Sequence, residues 1–207
     1  MTPKELANQL RAELDDHLAT IRRIADQIEA MDTIPAPVLP ILPSVPYRSQ
    51  WDADALAFKS DCGPACVTML LDLRNIHVSV DDLARACGLG PGKVYTTGAD
   101  LARAAKSFAL SLETVSGWSL EQFVARAPCI VLVHYGAMDR LDANYTAGHW
   151  VVLLGLQDGQ AIYHDPDWWG PRRNEGIARK VAREKFALAM RECAADGNPA
   201  GYGLVLV

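Results

Sequence analysis

Two cysteines stand four residues apart where a polar loop gives way to an apolar run, in the stretch SDCGPACVTML at residues 60–70. A cysteine in such a place could attack a carbonyl carbon, form a disulfide, bind a metal or fill the core. Pro64 is tolerated only in the first turn of a helix, which places Cys62 at or just inside the helix start. Ser60 or Asp61 is the expected N-cap. The unpaired amides and the dipole at a helix start stabilise a thiolate, so Cys62 is a candidate nucleophile.

The other cysteines favour structural roles. Cys66 lies one helical turn further in and shares an apolar face with Val67 and Leu70, which indicates core packing. The chain has five cysteines, an odd number at irregular spacing, which indicates reduced thiols rather than a disulfide framework. No Cys-x-x-Cys or His-x-x-x-His pair is present to complete a zinc site. We therefore expect neither a metal nor another cofactor.

A thiol nucleophile needs a base, and three histidines in the apolar second half of the chain are candidates: His134, His149 and His164. His149 opens the most apolar predicted strand, GHWVVLL at residues 148–154, which would hold the imidazole rigidly. His134 closes a predicted strand and His164 is expected to point away from the loop that follows it, so both favour structural roles.

Asp165 begins the loop directly after the next predicted strand, residues 161–164. If the turn at Asp158-Gly159 joins the two strands as a hairpin, His149 and Asp165 lie at its open end. There the carboxylate could accept a hydrogen bond from the imidazole and fix its tautomer. Counting back from the turn leaves Asp165 about three residues short of facing His149, so a β-bulge or the strand twist must close the gap.

Four short blocks resemble the motifs of a known enzyme family: VPYRSQ at 45–50, DCGPA at 61–65, GHWVV at 148–152 and DP at 165–166. The order Cys, His, Asp is the papain-like arrangement. Together the blocks resemble the bacteriocin-processing peptidase family, whose best-known members cut leader peptides after a double glycine, and its stand-alone peptidase-like relatives. The resemblance covers roughly Val45 to Val207.

This resemblance implies a papain-like cysteine peptidase with four catalytic residues. By it, Cys62 is the nucleophile, His149 is the general base and acid, and Asp165 orients the imidazole. Gln50 would donate its side-chain amide to the oxyanion beside the backbone N–H of Cys62, and losing one such donor costs on the order of a hundredfold in rate. The best-known members belong to membrane exporters. No membrane span and no GxxxxGK(S/T) motif occurs in this sequence, so the resemblance does not extend to the leader-peptide substrate.

Helices precede strands in this part of the chain, which predicts an α+β fold with N-terminal helices packed on a mostly antiparallel sheet. Capping pairs at Ser79/Asp82 and Ser119/Gln122 mark two helix starts. The predicted helices are 65–74, 80–87, 99–108, 119–127 and 183–191, and the predicted strands are 129–134, 149–156, 161–164 and 204–207.

An amphipathic helix at residues 1–33 and a proline-rich spacer at 34–46 precede the peptidase-like domain at 45–207. Apolar residues at heptad spacing predict a coiled-coil seam of about four heptads, interrupted by His17. Either a second copy of the chain or the chain's own domain could cover this seam, so the protein is a possible homo-oligomer. The prolines of the spacer favour an extended polyproline II conformation.

Trp168 and Trp169 directly follow the predicted catalytic loop and precede Arg172 and Arg173. An exposed tryptophan pair could form the wall of a substrate-binding groove for a peptide. The two indoles could equally cap the end of the sheet.

Composition narrows the possible partners. The 207 residues carry a net charge of -5 with no concentration of basic residues, which argues against nucleic acid. The longest apolar runs are too short to cross a bilayer, which takes about 20 residues as a helix. The N-terminus lacks the pattern of a signal peptide, so we expect a cytoplasmic location.

The sequence therefore predicts a cysteine peptidase that hydrolyses a bond in a peptide or protein substrate through a thioester. Two alternatives stay open. One is an acyl or aminoacyl transferase on the same scaffold, in which an amine replaces water. The other is a non-catalytic peptide-binding module.

Overall fold

The computed structural model describes residues 2–32, 42–58, 61–138, 147–193 and 197–207. The chain divides into two units, with the boundary after Pro40. The predicted spacer falls largely outside the described residues. Its described end, residues 42–46, is neither helix nor strand, and Val45 within it is buried in the core of the second unit.

The described residues of the first unit form the helix α1 (Pro3–Asp32). An apolar stripe of α1 is exposed to solvent, and its described members are Leu6, Leu10, Leu14, Leu18, Ile21 and Ile24. The coiled coil expected from these residues stays a prediction. No helix in the described parts of the chain is long and apolar enough to cross a membrane.

The second unit combines five helices and six strands in its described residues, which confirms the predicted α+β class. The helices are α2 (Cys62–Leu73), α3 (Val80–Ala86), α4 (Gly98–Ser107), α5 (Leu120–Val124) and α6 (Arg183–Glu192). The strands are β1 (Leu112–Val115), β2 (Cys129–His134), β3 (Gly148–Gln157), β4 (Gln160–His164), β5 (Arg179–Ala182) and β6 (Gly203–Leu206). They form one sheet in the order β1-β6-β2-β3-β4-β5, with antiparallel pairs throughout.

Helices cover both faces of the sheet, and the central strands are apolar on both sides for this reason. On β3, Trp150 and Val152 belong to the core cluster shared with α2, α3 and α4. Their neighbours Val151 and Leu153 belong to the cluster shared with α5 and α6. The sheet therefore lies between two helical layers, and its ends remain open for loops that carry polar side chains.

The hairpin of β3 and β4 contains a β-bulge. Gln157 pairs with Gln160 across the turn, and Gly155 pairs with Ile162, but the next pair is Leu153 with Tyr163. One residue of β3, Leu154, is therefore left without a partner on β4, and every later pair is shifted by one position.

Candidate active site

Cys62 is the first residue of α2, where the predicted nucleophile was expected. Asp61 occupies the N-cap position, and its carboxylate accepts no capping hydrogen bond from the first turn. Among the five cysteines, all of which the structure describes, Cys62 alone is partly exposed. Burial raises the pKa of the Cys66 thiol well above its usual value, as a core residue requires. The two cysteines therefore have the different environments that the sequence predicts.

The bulge in the hairpin determines where Asp165 lies relative to His149. An uninterrupted ladder would bring Asp165 level with Val152, on the opposite face of the sheet from His149. Because of the bulge, Val152 pairs with His164 instead, and Asp165 comes level with Val151. His149 and Asp165 then lie on one face as diagonal neighbours, a separation that long side chains can bridge.

The three predicted catalytic side chains meet at this end of the sheet. His149 Nε2 lies 2.8 Å from Asp165 Oδ1, and both residues are buried. A carboxylate acceptor fixes the hydrogen on Nε2, which leaves Nδ1 for the other partner of the ring. The other group that acts on this ring is the Cys62 side chain, which raises the pKa of His149 through hydrogen bonding and charge.

Burial lowers the pKa of His149, but the charge of Asp165 and the hydrogen bonds from Asp165 and Cys62 outweigh it. The net effect raises the pKa of His149 from 6.5 to about 10. A histidine in this environment holds its proton firmly.

Asp165 is fixed by its own surroundings. Its backbone N–H donates to the carbonyl of Gly176 at 2.9 Å, and its carbonyl accepts from the Tyr47 hydroxyl at 2.8 Å. Gly176 has no room for a side chain, since a Cβ there would come within 3.0 Å of the Tyr47 ring and of the Asp165 carbonyl.

Gln50, the predicted oxyanion donor, lies beside this loop. Its backbone N–H donates to the carbonyl of Pro166 at 2.9 Å. Ser49, which is fully buried, places its Oγ 3.1 Å from the Pro166 carbonyl and 2.5 Å from the Trp168 carbonyl. The Gln50 Oε1 atom is buried and has no hydrogen-bond partner among the described residues. Since a half-turn of the amide exchanges its oxygen and nitrogen, this position can also present N–H donors.

Arg48 connects the same segment to the nucleophile's helix. Its Nε donates to Asp72 Oδ2 at 2.6 Å, and its Nη2 lies 3.3 Å from Asp72 Oδ1. Asp72 belongs to α2, which begins with Cys62. The segment that carries Gln50 is therefore tied both to the loop after Asp165 and to α2.

The two tryptophans differ in their environments. Trp168 is buried, contrary to the expectation of an exposed pair, and its indole N–H donates to Asp165 Oδ2 at 3.0 Å. Trp169 is 58% exposed and its ring lies 5.7 Å from that of Trp51. Trp51, which follows Gln50, is also exposed and donates its indole N–H to Asp167 Oδ1 at 2.7 Å.

The remaining histidine candidates are separate from this cluster. His164 Nε2 donates to the Val45 carbonyl at 2.9 Å, and its Nδ1 accepts from the Ala178 N–H at 3.0 Å. Burial lowers the pKa of His164 despite the bond to Val45, so this imidazole is a neutral link between chain segments. His134 is partly buried, with Nδ1 4.0 Å from the Glu192 carboxylate.

Sequence reasoning missed three residues that border the site, namely Tyr135, Trp51 and Asp167. The Tyr135 ring contacts the His149 ring edge-on, with centroids 4.9 Å apart, and the Tyr135 hydroxyl donates to Asp167. Trp51 reaches the same carboxylate. Tyr135 directly follows β2 and Trp51 follows the VPYRSQ block, but nothing in their spacing indicates that they meet. Within the described residues, no group of three His, Cys, Asp or Glu is arranged to hold a metal ion.

Comparisons with solved structures support the fold. A double glycine motif protease from an AMS/PCAT transporter, solved in complex with the leader peptide, is 20% identical and has a TM-score of 0.53; the match covers 81% of this chain and 94% of that one. A putative C39-like peptidase from Bacillus anthracis is 18% identical, with a TM-score of 0.54 and coverage of 79% and 95%. The peptidase domain of Streptococcus ComA is 20% identical, with a TM-score of 0.50 and coverage of 71% and 90%.

No curated protein sequence matches the chain. Residues 43–191, however, match the Peptidase_C39 like family. This range contains all four blocks on which the resemblance rests, and the match confirms that resemblance. Since it spans more than half of the sequence, the chain belongs to the Peptidase_C39 like family.

Proposed function

We propose that this protein is a cysteine peptidase that hydrolyses a peptide bond through a thioester acyl-enzyme. The observation that carries the proposal is the His149 imidazole, whose Nε2 lies 2.8 Å from Asp165 Oδ1 and whose pKa is raised by both Asp165 and Cys62. An imidazole that lies beside a thiol and is oriented by a carboxylate is the arrangement that acyl transfer requires.

In the proposed reaction, the Cys62 thiolate attacks the substrate carbonyl carbon and forms a tetrahedral oxyanion. The backbone N–H of Cys62 and the side-chain amide of Gln50 stabilise this charge. The His149 imidazolium gives its Nδ1 proton to the departing amine as the C–N bond breaks, which leaves a thioester. Neutral His149 then takes a proton from water, the hydroxide attacks the thioester, and the Cys62 thiolate leaves.

A peptide is the proposed substrate. The double glycine motif protease from the AMS/PCAT transporter was solved with a leader peptide, which supports a peptide ligand for this fold. On this chain, Trp169 and Trp51 form an exposed aromatic pair next to Gln50 and the loop of Asp165. Exposed aromatic pairs are favoured at binding surfaces, so we propose that Trp169 contacts the substrate. Trp168, being buried, is not in a position to do so.

The nucleophile can be tested without a known substrate. An ordinary thiol with a pKa of about 8.5 is only about 0.3% thiolate at pH 6. We expect Cys62 to react with iodoacetamide at pH 6 at least tenfold faster than a cysteine in an unstructured peptide, because a neighbouring histidinium favours the thiolate. Intact-mass spectrometry would count one fast label, lost in Cys62→Ser and kept in Cys66→Ala. A rate no faster than that of the peptide would refute the assignment.

Hydrolysis is tested with a library of peptides from a digested proteome, incubated with the protein or with Cys62→Ser. New peptide N-termini that appear only with the parent protein would support a peptidase. Products that carry the mass of an added amine would indicate an acyl transferase. A rapidly alkylated Cys62 without any new product would leave the peptidase proposal without support.

A further inference from the structure

Both oxygens of the Asp165 carboxylate are held by hydrogen bonds in the interior. Oδ1 accepts from His149 Nε2 at 2.8 Å and from the backbone N–H of Asp167 at 3.1 Å. Oδ2 accepts from the indole N–H of Trp168 at 3.0 Å. Since Asp165 is 2% exposed and Trp168 is 6% exposed, water does not compete for the bond to Oδ2.

Two arginines hold the indole of Trp168 in this orientation. The guanidinium carbons of Arg172 and Arg179 lie 4.5 and 4.4 Å from the ring centroid. Arg172 also pairs with the Glu175 carboxylate, and Arg179 donates to the Glu175 carbonyl at 3.1 Å. Because cation–π contacts require the cation over the ring face, the indole cannot turn away from Asp165 without losing them.

We propose that Trp168 is a positioning residue that acts on the reaction through Asp165. A carboxylate bonded through one oxygen only can rotate and carry the imidazole with it. The indole N–H, held by Arg172 and Arg179, prevents this rotation and keeps Oδ1 on His149, so that Nδ1 stays directed at the thiol. The proposal rests on the proposed cysteine peptidase function and adds a residue to its machinery.

The proposed role of Trp168 depends on a directed hydrogen bond and not on a charge. Arg179 Nε lies 4.0 Å from Asp165 Oδ2, so a positive charge already acts on the carboxylate. The indole is neutral and contributes a directed donor. Without the indole N–H, Oδ2 of Asp165 loses a directed donor in the interior, which favours a rotated carboxylate.

The test is the pH dependence of Cys62 alkylation by iodoacetamide, measured in the full-length protein between pH 5 and 9. Trp168→Phe removes the N–H and keeps an aromatic ring beside the two arginines. We expect alkylation at pH 6 to slow about tenfold or more, with the rising limb of the pH profile displaced to higher pH. Trp118→Phe is the matched control, since Trp118 is partly buried, packs on Phe123 and lies outside the site; its rate and profile should equal those of the parent.

A double-mutant cycle with Asp165→Asn decides whether Trp168 acts through Asp165. In the Asp165→Asn background, a further Trp168→Phe change should alter the alkylation rate less than twofold, because the carboxylate that the indole held is gone. An equal effect of Trp168→Phe in both backgrounds would show a packing role and overturn the proposal. So would a Trp168→Phe rate within twofold of the parent at pH 6.

If Trp168→Phe does not fold, as judged by circular dichroism, Trp168 is replaced by β-(3-benzothienyl)alanine, which keeps the shape and puts sulfur in place of the N–H. The same slowing is expected, and a rate like that of the parent would overturn the proposal. The two proposals fail in different ways. A parent protein whose Cys62 is no faster than a peptide thiol refutes the proposed function, whereas a fast parent with an equally fast variant refutes only the role of Trp168.

Discussion

Arg48 and Asp72 form an ion pair whose strength can be tested against a matched pair elsewhere in the molecule. The Asp72 side chain is 4% exposed and that of Arg48 is 28% exposed, and two N–H groups of Arg48 point to the two carboxylate oxygens. The perturbation is Arg48→Met, which keeps much of the aliphatic volume and removes the charge. Among the described residues, His77 then remains beside the buried carboxylate, with its Nδ1 2.8 Å away.

The expected cost follows from burial. Removing one partner of a fully buried pair destabilises a protein by about 3–5 kcal/mol. Because His77 remains and Arg48 is partly exposed, we expect Arg48→Met to lower the free energy of unfolding by about 2–3 kcal/mol at pH 7. The control is Arg85→Met. Arg85 pairs with Asp82 at 2.5 Å, but both side chains are more than half exposed, so the expected loss is below about 1 kcal/mol.

The loss of stability in Arg48→Met is also expected to depend on pH. Burial raises the pKa of Asp72, but the hydrogen bonds from Arg48 and His77 outweigh it and the net effect lowers the pKa from 3.8. Stability from this group is therefore present above about pH 4 and lost as the pH falls through the lower folded-state value. In Arg48→Met the carboxyl protonates at a higher pH, which relieves the buried charge. The difference between parent and variant should thus shrink between pH 7 and pH 3.

Urea unfolding followed by circular dichroism, at several pH values, measures all three proteins. Equal losses for Arg48→Met and Arg85→Met would refute the reasoning from burial. A penalty that stays constant down to pH 3 would refute the assignment to Asp72. Replacing both partners, in Arg48→Met/Asp72→Leu, should recover at least half of the loss, because no buried charge remains.

Three further outcomes follow from the site. Gln50→Ala should lower peptide hydrolysis about a hundredfold and leave thiol alkylation within about twofold, because alkylation forms no oxyanion; equal losses in both assays would contradict the oxyanion role. Gly176→Ala should slow alkylation at pH 6 at least tenfold, since its Cβ would displace Tyr47 or Asp165; a parental rate would show that the loop adapts. Because the folded-state pKa of His164 is lowered, parental stability should fall as the pH drops below about 6.5, and urea unfolding of His164→Asn should show a weaker fall.

The features that could be predicted are those that depend on a short stretch of sequence. Capping pairs and the Asp-Gly turn act within a few residues, and the structure has them: Ser79 accepts from the Asp82 N–H, and Ser119 and Gln122 form a full capping box. The central strands β2, β3 and β4 were recognisable because both of their faces are buried, which produces continuous apolar runs.

The two strands that sequence reasoning missed, β1 and β5, are the two edges of the sheet. Each buries only one of its four residues, and β5 reads RKVA. Charged side chains on edge strands prevent pairing with other chains, and such strands therefore lack the apolar pattern by which a strand is recognised. Their identity depends on a neighbour that the local sequence does not specify.

Contacts between residues that are far apart in the sequence could not be predicted either. Trp168 looks exposed in sequence because it stands between an acidic loop and arginines. The partners that bury it are Asp165, three residues away, and Arg179, which reaches it only after the intervening turn has folded back. The sequence required a β-bulge or the strand twist to bring Asp165 towards His149, and the structure has the bulge at Leu154.

Because of that bulge, the face on which the Asp165 carboxylate lies depends on the number of residues in each strand. A one-residue insertion or deletion within either paired segment between His149 and Asp165 would exchange the two faces and carry the carboxylate to the far side of the sheet. A change of two residues in one strand would preserve the face and move the carboxylate along it by about 7 Å. Redesign of this hairpin must therefore keep an odd number of extra residues on β3, and added length belongs within the Asp158-Gly159 turn, where it leaves the ladder untouched.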